Sequence, residues 1–96
     1  IMSYYVYIII NINNKSNPTY VGYTNNLKKR LFLHNSSKGA KFTRGRYWKL
    51  IYKKKYKSKS DAMINEYNLK KNRSKRNFLK FSFLEKLNNQ NMNIAI

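Results

Sequence analysis

Cysteine is absent from the 96 residues, and histidine occurs once. Disulfides, thiolate zinc sites and thiol nucleophiles are therefore excluded, and a multi-histidine metal centre cannot be built. Acid is nearly as scarce: 3 Asp+Glu stand against 21 Lys+Arg, for a formal net charge of +18. Two-metal nucleases usually gather several carboxylates around paired cations, so with only Asp61, Glu66 and Glu85 to draw on, one metal on one carboxylate is the ceiling. No apolar run approaches the roughly 18 residues of a membrane span; the longest, Tyr4 to Ile10, has the length of a strand. The N-terminal stretch lacks the basic start of a signal peptide and runs straight into polar "NINNK", which gives an intracellular, cytoplasmic expectation, or a nuclear one in a eukaryote or its virus.

What is present is positive charge, and an imbalance of this size makes a polyanion the expected partner, nucleic acid first. A chain of this length buries roughly 60 to 65 % of its unfolded surface, which suffices for one core and one site. "YYVYIIIN", Tyr4 to Asn11, is β-branched and aromatic and reads as a strand covered on both faces. "NNKSNP" supplies turn formers, and "TYVGYT" then closes a hairpin. Gly22 inside that second strand packs nothing, which implies that a ligand or another backbone comes close. Thr24 or Asn25 is placed to cap a helix running to about Asn35, on which Arg30 and His34 stand one turn apart along one edge. "SSKGAKFTRGR", Ser36 to Arg46, is a cationic loop whose Lys38, Lys41, Arg44 and Arg46 suit phosphate contacts. A strand follows from Tyr47 to about Tyr56, a second helix begins at Ser58 or Ser60, a third at Ser74, and the tail has no clear period. The expected fold is α+β: a small, mostly antiparallel three-stranded sheet flanked by helices, in the order β-β-α-β-α-α.

Each candidate group has an ordinary reading beside a functional one. Asp61 suits a first helical turn, and an ion pair with neighbouring lysines suffices for Glu85. Glu66 shares a helix side with Ala62 and Leu69, so it should be half-buried and in need of a partner: an arginine, a cation, or Lys70 one turn on. His34 suits a helix C-terminus, where the dipole favours a cation. Tyr7 and Tyr20 lie on the two arms of the hairpin and can face each other, and two hydroxyls beside Arg30, His34 and Glu66 would make a polar pocket.

Tyr5-Val6-Tyr7 and Tyr20-Val21-Gly22, followed in order by Arg30, His34 and Glu66, resemble the GIY-YIG nuclease domain. The loop "KGAKFTRGR" is similar to that of its small stand-alone bacterial members, which are related to the N-terminal nuclease domain of the bacterial excision-repair incision protein. Tyr5 stands where the motif has glycine and Val21 where it has isoleucine; neither change removes a reactive group. The resemblance implies a nuclease domain over residues 3–87 with a tail over 88–96. It also implies metal-dependent phosphodiester hydrolysis, with Glu66 holding one divalent cation, Mg²⁺ or Mn²⁺, and Arg30 stabilising the phosphorane. Tyr7, Tyr20 and His34 would handle the proton of the attacking water, and Asn77 would bring a side-chain amide to the site. For Tyr7 to act as the base, the metal, Arg30 and the cationic background must lower a pKa that is ordinarily about 10. Gly22, Lys38, Lys41, Thr43, Arg44 and Arg46 would touch the substrate: DNA first, with RNA or branched nucleic acid as alternatives. A non-catalytic binding module is the competing class. One site cuts one strand, so a dimer or a protein partner is a further expectation.

Overall fold

The computed structural model describes residues 3–45 and 47–95, the last five of them by backbone alone. The elements are β1 (Tyr4–Ile10), β2 (Thr19–Thr24), α1 (Leu27–Asn35), β3 (Lys49–Tyr56), α2 (Lys59–Lys71) and α3 (Arg73–Ala95), with one 3₁₀ turn over Lys41–Thr43. The sheet has the order β2-β1-β3 with both pairings antiparallel, so the expected α+β class and element order hold.

The most apolar strand takes the centre. Val6 through Ile10 are all buried, because β1 is covered on both faces as well as paired on both edges. Val6 and Ile8 turn to one face and pack with Val21 of β2 and with Ala62 and Leu69 of α2. Tyr7 and Ile9 turn to the other, where Trp48, Tyr20 and the α1 residues Leu27 and Leu31 meet them. Each fully buried Val or Ile contributes roughly 1.5 to 3 kcal/mol. The sheet is thus clasped between α1 and α2, with α3 packed along α2 and β3. β2 is left as an edge, and a register shift between Ile8 and Ile9 places the irregularity opposite β3 and not at Gly22.

Several boundaries differ from the sequence reading. Asn26 caps α1, its Oδ1 accepting from Lys29 N at 3.1 Å, while the Thr24 hydroxyl bonds the Asn26 backbone just ahead of the helix. Of the two serines expected to start α2, Ser58 is the cap, accepting from Asp61 N. α3 begins at Arg73 and not at Ser74, because Asn72 ends α2 and its Oδ1 accepts from Lys75 N at 3.0 Å. β3 begins at Lys49, two residues later than expected, because Trp48 is tied to Asn35 at the end of α1. Residues 88–95, which show no clear period in sequence, continue α3.

Candidate active site

The site is built around a missing side chain. Tyr7 of β1 pairs directly with Gly22 of β2, and a Cβ at Gly22 would lie 2.5 Å from the Tyr7 hydroxyl and 2.7 Å from its Cζ. The tyrosine ring occupies the space a β2 side chain would fill, so the close approach inferred from Gly22 is made by the protein's own phenol. Tyr20 stands diagonally beside it on the same face of the hairpin. A cleft of about 430 Å³ opens here, lined by Tyr7, Tyr20, Gly22, Arg30, Lys59 and Glu66 among others. Arg30 comes from the helix on one face of the sheet and Glu66 from the helix on the other. They reach a common cleft by meeting at the β2 edge.

His34 lies behind this cleft, with no exposed surface at all. Its Nε2 is 2.8 Å from the Tyr7 hydroxyl and its Nδ1 is 2.9 Å from Thr43 Oγ1. The Tyr20 ring lies against it, centroids 5.1 Å apart. The loop after α1 wraps the imidazole closely: a Cβ at Gly39 would fall 2.5 Å from Nδ1. Thr43 is held by its side chain to Ala40 O at 2.8 Å and by its carbonyl, which accepts from Trp48 Nε1 at 3.0 Å. Asn35 completes the clamp, its Oδ1 accepting from Trp48 N at 2.6 Å and its Nδ2 donating to Trp48 O at 3.1 Å.

Two placements expected from the sequence need correcting. Thr43 is fully buried and its hydroxyl is committed to His34 and Ala40, so it serves the imidazole and does not reach a nucleic acid. Asn77 is exposed on α3 and does not line the cleft. The neighbouring residue Arg76 is the one turned inward, its Nε donating to Leu69 O at 3.1 Å, and one residue round the helix carries Asn77 about 100° away from that face. Lys38, Lys41 and Arg44 are exposed on the loop outside the cleft, while Arg46 lies outside the described residues. Gly39, Asn35 and Trp48 escaped the sequence reading; the one available signal was a glycine five residues past the lone histidine, where the loop has to fold back over it.

Burial dominates the protonation states. The Tyr7 phenol is pushed up to about 12 by loss of water, against the opposing pull of the Arg30 guanidinium hydrogen-bonded to it. In the free protein burial outweighs Arg30, so the lowering that a Tyr7 base requires is not supplied by that guanidinium alone. Burial first, and then the nearby Arg30 charge, pushes His34 down to about 4, so the imidazole is neutral at pH 7. Arg30 itself is held above the ordinary arginine value, chiefly by its bond to Tyr7. Glu66, 17 % exposed, finds its partner in half-exposed Lys70 at 3.5 Å, an i,i+4 pair worth only ~0.3 to 0.5 kcal/mol. Such a pair does not prevent the carboxylate from taking a cation. No group of three or more His, Cys, Asp or Glu is gathered among the described residues, and Mg²⁺ suits this, since it keeps several waters and is held by one or two carboxylates plus substrate phosphates.

The catalytic-domain model of GIY-YIG matches residues 3–88. The chain belongs to the GIY-YIG family. Members of that family are generally endonucleases. A UPF0213 protein of Oceanobacillus iheyensis is 47% identical over 68 residues, which cover 70% of this chain and 76% of that one. Another, from Staphylococcus haemolyticus, is 44% identical over 68 residues, covering 70% of this chain and 79% of its own. The solution NMR structure of a UPF0213 protein from Bacillus halodurans is 37% identical, covers 83% of this chain and 85% of that chain, and superposes with a TM-score of 0.47. Tyr7 and Tyr20 share a cleft with Arg30 and Glu66. Among the described residues no helix is long and apolar enough to cross a membrane.

Proposed function

We propose that this GIY-YIG domain is a metal-dependent endonuclease that hydrolyses phosphodiester bonds in DNA, one strand per event. The observation that carries the reading is the meeting of Glu66, Arg30, Tyr7 and Tyr20 in one cleft at the open β2 edge, although they come from four different elements. Glu66 would hold one Mg²⁺ or Mn²⁺, which when bound neutralises charge on the scissile phosphate and the leaving oxygen. Arg30 places its guanidinium beside the same phosphate, where negative charge grows in the pentavalent transition state. Tyr7 orients the attacking water, with Tyr20 beside it. Gly22 makes room for the Tyr7 ring at the cleft, and exposed Lys38, Lys41 and Arg44 continue the phosphate track beyond it, with Arg46 proposed for the same role.

The test is nicking of supercoiled plasmid with Mg²⁺, Mn²⁺ or EDTA, comparing wild type with Glu66→Ala and Tyr7→Phe, with binding measured on the same samples. Metal-dependent nicking in wild type, lost in both variants while binding persists, is the expected result. The Glu66–Lys70 ion pair favours a second reading, in which the glutamate is structural and the domain only binds nucleic acid. That reading predicts equal binding by wild type and Glu66→Ala and no product from plasmid, branched DNA or RNA.

A further inference from the structure

We propose that Thr43 is a positioning residue that holds His34 in its Nδ1–H form, so that Tyr7 donates and His34 Nε2 accepts in the bond between them. The assignment follows from counting protons along one chain of contacts. Thr43 Oγ1 lies 2.8 Å from Ala40 O and 2.9 Å from His34 Nδ1. A carbonyl oxygen can only accept, so the single hydroxyl proton of Thr43 goes to Ala40 and a lone pair is left facing the ring. Nδ1 must then supply the proton for the second contact. A neutral imidazole carries one ring proton, which leaves Nε2 bare, and 2.8 Å from it stands the Tyr7 hydroxyl. The opposite form would set two donors, Nε2–H and the Arg30 guanidinium, on the Tyr7 oxygen and turn the phenol proton away from both. Gly39 keeps Nδ1 within reach of Thr43, because a side chain there would collide with the ring.

The consequence for chemistry rests on the nuclease reading. As water oxygen bonds to phosphorus, its proton passes to the Tyr7 oxygen while the phenol proton passes to His34 Nε2. The P–O bond to the leaving group breaks, and the departing oxygen takes a proton from solvent. His34, an imidazolium at that point with Nδ1–H still on Thr43, passes its Nε2 proton back to the Tyr7 oxygen as that oxygen releases the proton taken from the water into the cleft, and the site is reset. Without the Thr43 lone pair a buried Nδ1–H has no acceptor, so the ring proton moves to Nε2 and the route closes.

The experiment is a two-bond ¹H–¹⁵N correlation of the His34 ring at pH 7.5, without metal or nucleic acid, on wild type, Thr43→Val and Thr43→Ser. Wild type and Thr43→Ser should show a protonated Nδ1 and a bare Nε2, whereas Thr43→Val should move the proton to Nε2. Single-turnover cleavage should fall about 10²-fold in Thr43→Val, the lower end of what acid–base groups contribute, and recover to within several-fold in Thr43→Ser. A wild-type ring protonated on Nε2 overturns the assignment; if Thr43→Val fails to fold, this measurement and Thr43→Ser still decide it. An unchanged ring form in folded Thr43→Val overturns the positioning role. A wild type with the expected ring form but no cleavage of any substrate sinks the nuclease reading and leaves the assignment standing.

Discussion

Protonating His34 puts a charge where no solvent reaches, beside the guanidinium of Arg30, and that sets how the fold responds to acid. The groups that face the ring are Tyr7 from β1, Tyr20 from β2, Arg30 from α1 and Thr43 from the following loop, and none is acidic. The folded pKa of about 4 lies below the ordinary value of 6.5, so the unfolded chain takes up the proton first. Stability is therefore complete above about 6.5 and falls as the pH drops from there toward about 4. At about 1.4 kcal/mol per pH unit the full loss is about 3 kcal/mol, undiminished by solvent screening because the ring is fully buried. With only 3 Asp+Glu in the chain, few other groups compete in this window. Thermal unfolding at constant ionic strength should show a Tm roughly 10 °C lower at pH 5 than at pH 7.5. His34→Gln, less stable at every pH, should have a much flatter profile. Equal slopes for the two proteins would refute the argument, as would an NMR midpoint for His34 near 6.5.

Gly22→Ala should displace the Tyr7 ring, since a Cβ would sit 2.5 Å from its hydroxyl; the expected cost is roughly 1 to 3 kcal/mol in denaturant unfolding together with loss of cleavage, and an unchanged midpoint would contradict the packing account. Asn35→Ala removes both bonds to the Trp48 backbone and should cost roughly 1 to 3 kcal/mol, with a changed emission from Trp48, the chain's single tryptophan; wild-type fluorescence and stability would show that the clamp is dispensable. Arg30→Met should raise the His34 midpoint toward 6.5 without reaching it, because burial is the larger cause of the depression; a midpoint that stays put or falls would remove Arg30 from the account. Affinity for any duplex should drop by at least roughly 10²-fold between 50 and 200 mM salt, read by fluorescence anisotropy, and a flat salt profile would count against phosphate contacts by this cationic surface.

Patterns with strong local physics were legible in the sequence. The apolar run Tyr4 to Ile10 announced a central strand, Ser58 announced a helix start, and the ordered tyrosines, arginine and glutamate announced one site. Long-range pairing was not legible. Nothing local says that Asn35 will reach Trp48 thirteen residues on, so the start of β3 was misplaced. Thr43 sits among lysines and arginines that are exposed, and only the fold reveals that the 3₁₀ turn over Lys41–Thr43 carries its hydroxyl inward to His34. Asn77 failed for a related reason: the register of α3 is set by Asn72, a cap that reads in sequence as the end of the preceding helix.

The raised phenol of Tyr7 shows which kind of charge matters. A net charge of +18 suggests a field strong enough to pull a proton from a phenol, yet most of those cations are exposed lysines, and beyond a Debye length of about 10 Å at 0.1 M salt their effect is screened. Burial acts on the phenol itself, and among the cations it is Arg30, bonded to the oxygen, that opposes it. The surface charge and the buried pair consequently serve different ends. On the proposed nuclease reading, the lysines and arginines would concentrate a polyanion near the β2 edge, and the Tyr7–His34 pair, uncharged in the free protein, would hold its proton until charge enters the cleft beside Glu66. A domain organised this way gains little catalytic power from added surface lysines, which change encounter and salt dependence, whereas a change at Gly22, Arg30, His34 or Thr43 acts on the proton directly.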